Sequence, residues 1–274
     1  MKNSPSNFSY FKNKKKNYVG PIDRAEKKTR RKKIKPNSKL KFKISPQPNE
    51  TTCGPSCLYS IYRFLGDHIS LNKVIEEIYQ FEEGGGTLGV ILGNHALLRD
   101  FKATLYTINL KVMDPTWADL PMPSIKKKLE YRLLHRQLKK ERMALEQYIK
   151  FLDLGGSIRI REMTSRLISN YLSKGTPILC GLSSTWLYQT KRELPDKNIE
   201  DDVLGEPEGH FVVLYGYNAK TKMVNIGDPY YGNPFSNKLY YKAHIRKVLT
   251  AIYLGVLTFD GNILVLEKKS GNSA

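Results

Sequence analysis

The sequence predicts an α+β fold, with helices first and an antiparallel sheet last. Two periodicities carry this. Apolar residues recur at helical spacing from Cys53 through the middle of the chain, and the last hundred residues switch to period-two patterns. Composition supplies the third observation: 40% hydrophobic and 26% charged residues over 274 positions suit a globular chain with room for a real core. No apolar run approaches the roughly 18 to 20 residues needed to cross a bilayer.

Taken in order, residues 1–45 mix Lys and Arg with Asn, Ser and Pro and show neither periodicity, so a disordered basic arm is expected, followed by a body over 46–274. Thr51 to Gly66 contains CGPSCLYSIYRFLG, whose Leu58, Ile61, Tyr62 and Leu65 fall on one helical face behind a Gly-Pro start. A second helix is expected over 71–81, then the loop EEGGGTLGV, a helix over about 90–99 and a strand over 103–110. Residues 124–152 read as one long basic helix of about 40 Å, with Tyr131, Leu134, Leu138, Leu145, Tyr148 and Leu152 on a stripe. After the Gly155-Gly156 break come a short helix over 164–173 and a strand, PILCGLS. The strands HFVVLYGYN, KMVNIGD, AIYLGVLTF and ILVLE complete the sheet. No internal repeat is visible.

The chain carries 45 Lys and Arg against 26 Asp and Glu, a net +19, which points first to nucleic acid or an anionic surface as partner. The excess is local. Residues 1–45 hold 16 basic side chains against two acidic, residues 124–150 hold nine against three, and the rest is close to neutral. Cys53, Cys57 and Cys180 are odd in number and form no CxxC pair, which fits free thiols in a reducing compartment, and the length of 274 residues excludes a disulfide miniprotein. The basic N-terminus has no apolar segment of signal-peptide type, so a cytoplasmic location is the expectation.

Chemistry concentrates in Gln47-Pro-Asn-Glu-Thr-Thr-Cys53-Gly-Pro. A thiol at a helix N-terminus is stabilised as thiolate by unpaired N–H groups and the helix dipole. Gln47, six residues upstream, supplies an amide that with the Cys53 N–H makes two donors for an oxyanion. His210, at the start of one strand, is the candidate base, and Asp228, at the end of the next, the candidate orienter of its imidazole. Cys57 and Cys180 read as packing residues, and His68, His95, His135 and His244 as surface or structural. Cys and His spacing does not suit zinc, and neither a metal nor an organic cofactor is implied.

These segments, Q-x5-C-G-P, then GHFVVLYGY, then GDP, resemble the papain-like cysteine peptidases that clip double-glycine leaders inside bacteriocin exporters. FEEGGGTLGV, MDPTW and LGVLTFD resemble a stand-alone bacterial subfamily. The resemblance implies a papain-like fold, with Cys53, His210 and Asp228 catalytic, Gln47 at the oxyanion, and a peptide or amide substrate cleaved through a thioester. The exporter peptidases continue into membrane spans and an ATPase that this chain lacks, and the basic segment at 124–152 is an insertion by comparison. Two alternatives stand beside hydrolysis: a transpeptidase or acyltransferase using the same site, and a nucleic-acid or membrane binding protein with an inactive papain-like shell. Of the remaining features, Gly84 to Thr87 reads as a plain loop rather than a phosphate cradle, and Trp186 as aromatic core. The acids Glu193, Asp196, Glu200, Asp201, Asp202, Glu206 and Glu208 read as a solvated loop. The arm is the expected contact for an anionic partner, nucleic acid or membrane surface.

Overall fold

The computed structural model describes residues 37–80, 86–194, 197, 199–236, 238–259 and 261–269. Most of the predicted basic arm, Gly84 and Gly85 of the glycine run, and Asp196 of the acidic stretch lie outside the described residues.

The elements in chain order are β1 (Asn37–Lys39), α1 (Cys53–Leu65), α2 (Leu71–Glu77), α3 (Gly89–Leu98), β2 (Phe101–Thr107), α4 (Met122–Leu134) and α5 (Lys139–Asp153). There follow β3 (Ser157–Ile160), α6 (Ser165–Ser173), β4 (Ile178–Ser183), α7 (Ser184–Tyr188), β5 (Glu193–Leu194) and β6 (Ile199–Glu200). The chain continues through β7 (Gly209–Asn218), β8 (Met223–Gly227), β9 (Tyr240–His244), α8 (Ile245–Leu254) and β10 (Asn262–Lys268). One sheet runs β3-β2-β10-β4-β7-β8-β9, and β1 adds to β7 beside Gly216 to Asn218. Its pairs are antiparallel except β2 with β3.

Alternation along the strands feeds two cores. On β10, Leu264 and Leu266 join the layer of Leu58, Ile61, Leu92 and Phe151, while Ile263 and Val265 join that of Ile168, Leu172, Val248 and Ile252. Helices therefore cover both faces of the sheet. That is why β7 reads FVVLY, a continuous apolar run, rather than a half-polar alternation.

The α+β prediction holds, with helices and strands less segregated than predicted, because β2 and β3 join the C-terminal strands in one mixed sheet. Three expectations need correction. Residues 37–45, assigned to the disordered arm, belong to the body: β1 pairs with β7, and Phe42 and Ile44 are buried, Phe42 with its ring stacked on Tyr215 at 6.0 Å and 5.8 Å from Phe64. Alternating Lys39, Lys41 and Lys43 with Leu40, Phe42 and Ile44 is the period of a strand edge, masked by the charge.

The long helix is two, α4 and α5, linked through His135 to Leu138. A straight rod would have held half its stripe in water. Folded back, Ile125 and Leu129 of one helix and Leu145, Tyr148 and Phe151 of the other enter the same core, while Tyr131, Leu134 and Leu138 remain exposed. Finally, AIYLGVLTF is not a strand but the end of α8 and a 3-10 turn over Gly255–Thr258. Ile245, Val248, Ala251 and Ile252 make its buried face, and the His244 side chain caps it by accepting from the Arg246 N–H.

If residues 37–45 are part of the core, Phe42→Ala should cost about 3 kcal/mol in denaturant unfolding, as expected for an emptied aromatic site. A change within the error of the midpoint would return this segment to the arm.

Candidate active site

Asn49 to Thr52 form a tight turn before α1. The Asn49 side chain accepts from the Thr51 N–H at 3.1 Å, and the Thr52 hydroxyl donates to the Asn49 carbonyl at 3.0 Å. The helix then begins at Cys53 with no side-chain cap and no acidic residue in its first turn. The positive end of the helix dipole is thereby left to the thiol.

Close packing holds α1 against β7. The Cys57 thiol donates to the Phe211 carbonyl at 3.2 Å, one residue after His210. Burial pushes that thiol's pKa well up, so it serves as a neutral anchor. At Gly54 a β-carbon would lie 2.9 Å from Thr87 Cγ2 and 3.1 Å from Phe211 Cδ2. Only glycine lets the first turn approach the sheet this closely.

His210 is the second residue of β7 and Asp228 follows β8; Val213 and Gly227 are opposite each other, so the two side chains meet near the strand ends. His210 Nε2 and Asp228 Oδ1 are 2.8 Å apart. With Nε2 on Asp228, Nδ1 is the ring nitrogen left for Cys53, whose side chain is near enough to contribute to the imidazole's raised pKa. Cys53 and His210 are nearly buried and Asp228 wholly so. Burial opposes a charged imidazole, but the Asp228 charge and hydrogen bond, with a further contribution from Cys53, outweigh it and raise His210 to about 10. Burial likewise works against the Asp228 carboxylate, but the His210 charge and hydrogen bond, with the Tyr188 hydroxyl and the Tyr230 N–H, outweigh it, so its pKa lies below the usual range.

Sequence reasoning missed two residues. Tyr188, at the end of α7, and Tyr241, on β9, each donate a hydroxyl to Asp228 Oδ2, at 2.6 and 2.7 Å. The Tyr230 N–H donates to Oδ1 at 3.0 Å. Both hydroxyls have raised pKa values, through burial first and the Asp228 charge second, so they remain donors. Tyr241 lies opposite Ile226, two residues before Asp228. With β9 unrecognised, nothing in the sequence pointed to it; Tyr188 comes from a distant helix and left no local signal.

Gln47 enters the same neighbourhood through its backbone, whose N–H donates to the Pro229 carbonyl at 3.0 Å. Its side-chain Nε2 donates to the Asn49 carbonyl at 3.0 Å, and its Oε1 is buried without a partner. His210 and Asp228 are thus joined by a direct side-chain contact and Cys53 acts on the same imidazole, whereas the Gln47 amide is engaged with its own loop. Cys180 is core in β4. Among the other histidines, His95 bridges the Tyr62 hydroxyl and Glu77 at 2.8 and 3.0 Å, while His68 and His135 are exposed.

Trp186 is not core: it is 43% exposed and lines a shallow cavity of about 310 Å³ with Thr185, Gln189, Arg192 and Leu257. An aromatic in LSSTWLY suits a core strand, but α7 turns it outward. The described part of the acidic stretch is solvated, with Glu200, Asp202, Glu206 and Glu208 exposed, but its backbone is tied down. Glu193 and Glu206 exchange backbone hydrogen bonds, Asp201 accepts from the Val203 and Leu204 N–H groups, and Arg192 donates to the Asp202 and Val203 carbonyls.

Replacing Tyr188 and Tyr241 by Phe removes both donors on Asp228 Oδ2, so the carboxylate should protonate at higher pH. The acid limb of Cys53 alkylation in the double variant should therefore move up, and an unmoved limb would show that the hydroxyls do not stabilise the charge. Gly54→Ala should slow Cys53 alkylation at neutral pH at least about tenfold by displacing the first turn, as small misplacements at reacting centres do. Wild-type rates in that variant would mean the turn has slack.

No protein-family model matches the chain, and no curated protein matches its sequence. Among solved structures, the peptidase domain of Streptococcus ComA, a bi-functional ABC transporter involved in a quorum-sensing pathway, aligns at 12% identity with a TM-score of 0.40, over 83% of this chain and 99% of that one. Xylellain, a cysteine protease from Xylella fastidiosa, aligns at 14% identity with a TM-score of 0.42, over 86% of this chain and 87% of that one.

Proposed function

We propose that the chain is a cysteine peptidase or amidohydrolase of papain-like design. The observation that supports this most is the hydrogen-bonded pair of His210 with a fully buried Asp228, set beside Cys53 at an uncapped helix N-terminus. The raised imidazole pKa matters because at neutral pH it favours an imidazolium beside the thiol, and an imidazolium stabilises a thiolate.

The thiolate sulfur attacks the carbonyl carbon of a peptide or amide, and the carbonyl π electrons move onto oxygen. The Cys53 N–H donates to this oxyanion, and Gln47 Nε2, which has two hydrogens and spends one on Asn49, supplies the second donor. As the tetrahedral species collapses, the C–N bond breaks and the His210 proton goes to the departing nitrogen, which leaves as an amine. The neutral imidazole then takes a proton from water as that water adds to the thioester. Collapse returns the thiolate, releases the carboxylic acid and restores the imidazolium. Asp228 stays ionised throughout and holds the ring.

Iodoacetamide alkylation of Cys53 near pH 7 tests the activated thiol. His210→Ala should lower the rate at least about a hundredfold, and an equal rate would remove the activated nucleophile from this reading. Asp228→Asn gives a sharper outcome, because burial alone lowers an imidazole pKa. The His210 midpoint, followed by NMR, should fall from about 10 to below its ordinary value near 6.5. The linkage has a definite sign. In wild type the pair's stabilisation is complete below the ordinary histidine value and is lost as pH rises through about 10, and on the acid side it is lost as pH falls through the lowered Asp228 value. Product analysis on a peptide library completes the test: free acid and amine support hydrolysis, whereas a new amide in excess when an amine is added assigns the site to acyl transfer.

A further inference from the structure

The hairpin of α4 and α5 carries charge and apolar surface that the proposed chemistry leaves unused. Tyr131, Leu134 and Leu138 are 68%, 79% and 66% exposed, although each sits on the stripe that would ordinarily be buried. They cluster at the closed end of the hairpin. The tip is built to hold its shape: Arg142 donates to the Leu133 and Arg136 carbonyls at 2.9 and 3.0 Å, and Arg132 donates to the Lys111 carbonyl at 2.7 Å. Neutral carbonyls satisfy these guanidiniums without cancelling their charge. Residues 124–150 hold nine basic side chains against three acidic, so a basic excess remains after Arg136 pairs with Glu141 at 3.7 Å and Lys126 with Glu130 at 3.5 Å. Lys140 and Lys111 lie over the Phe259 ring at 5.0 and 4.4 Å, keeping two ammonium groups beside the tip's base.

We propose that this tip is a docking surface for an anionic lipid bilayer, with Tyr131, Leu134 and Leu138 entering the headgroup and upper acyl region and the surrounding Lys and Arg facing lipid phosphates. Amphipathic elements with leucine and aromatic residues on one side and Lys or Arg on the other bind interfaces in this way, and long basic side chains reach the headgroups while their stems lie in apolar surroundings. The charge selects an anionic partner. The exposed leucines then favour a bilayer over nucleic acid, because they have neither a π-face for base stacking nor a hydrogen-bonding group, and the Tyr131 ring is already against His135 at 4.5 Å. A cover from this chain's own N-terminus is disfavoured by its sign, since residues 1–36 hold 13 basic side chains against two acidic. No helix among the described residues is long and apolar enough to cross a membrane, so the mode is peripheral.

The experiment uses the full chain with phosphatidylcholine vesicles containing about 30% phosphatidylglycerol, at about 0.5 M salt to screen adsorption through charge alone. Leu134→Trp, compared with wild type, should give blue-shifted emission on vesicle addition and quenching by lipids brominated in the upper chain. Leu134→Ser with Leu138→Ser should reduce vesicle partition at least about tenfold while leaving the melting temperature and Cys53 alkylation unchanged. An unshifted, unquenched Leu134→Trp signal overturns the proposal, and so does a double serine variant that partitions like wild type. A double variant that loses single-stranded RNA binding, or changes its oligomeric mass without vesicles, while keeping vesicle partition, reassigns the tip to nucleic acid or to a second copy.

Discussion

The buried carboxylate of Asp228 sets the terms for everything near it. An ionised group withdrawn from water is tolerated only if its lone pairs are occupied by good donors. Here Oδ1 accepts from the His210 ring and the Tyr230 N–H, and Oδ2 accepts from two tyrosine hydroxyls. Each donor comes from a different place: the start of β7, the loop after β8, the end of α7 and the middle of β9. Those elements must be in register for the charge to be stable. The same charge is what raises the imidazole, so the tolerance of the carboxylate and the raised pKa of the ring are one electrostatic arrangement.

The thiol side is governed by distance rather than charge. Cys53 gains from the helix terminus only if α1 lies close enough for the thiol to meet the ring, and Gly54 and Cys57 determine that approach. Cys57 is one turn behind Cys53 and chemically identical, yet their surroundings assign them opposite roles. Wholly enclosed and donating to a carbonyl, Cys57 is held as a thiol, whereas Cys53 has the uncapped helix end and the imidazole.

How much of this was legible beforehand follows from how local each signal is. Cys53, His210 and Asp228 stand in short motifs with strong local grammar, a Gly-Pro helix start and two strand ends, and the meeting of His210 with Asp228 follows from pairing neighbouring strands. Tyr188 and Tyr241 carry no such grammar, because a tyrosine near a strand is usually packing and its hydroxyl partner is decided by tertiary placement. Gln47 shows the opposite limit. Its position near the site was readable from spacing to Cys53, but its amide orientation depends on a turn whose internal hydrogen bonds compete for it. At residues 37–45 Lys at every second position hides the strand period of a buried Phe42 and Ile44. At 124–152 one apolar stripe continues across a bend. Spacing reports which residues share a face, and only tertiary burial decides whether the rod stays straight.

That bend carries a physical consequence. Two antiparallel helices need enough shared core to offset four chain-end groups left without intrahelical partners at each new terminus. Ile125, Leu129, Leu145, Tyr148 and Phe151 provide the core, and Arg142 takes up carbonyls at the end of α4. Neither requirement calls for large apolar side chains at the tip, where Ser or Lys would serve the hairpin equally well. Leu134 and Leu138 therefore contribute nothing that the fold asks of them. Residues that are neutral for folding and unfavourable in water are best explained by a surface they meet outside the chain, and the basic side chains around them give that surface its sign.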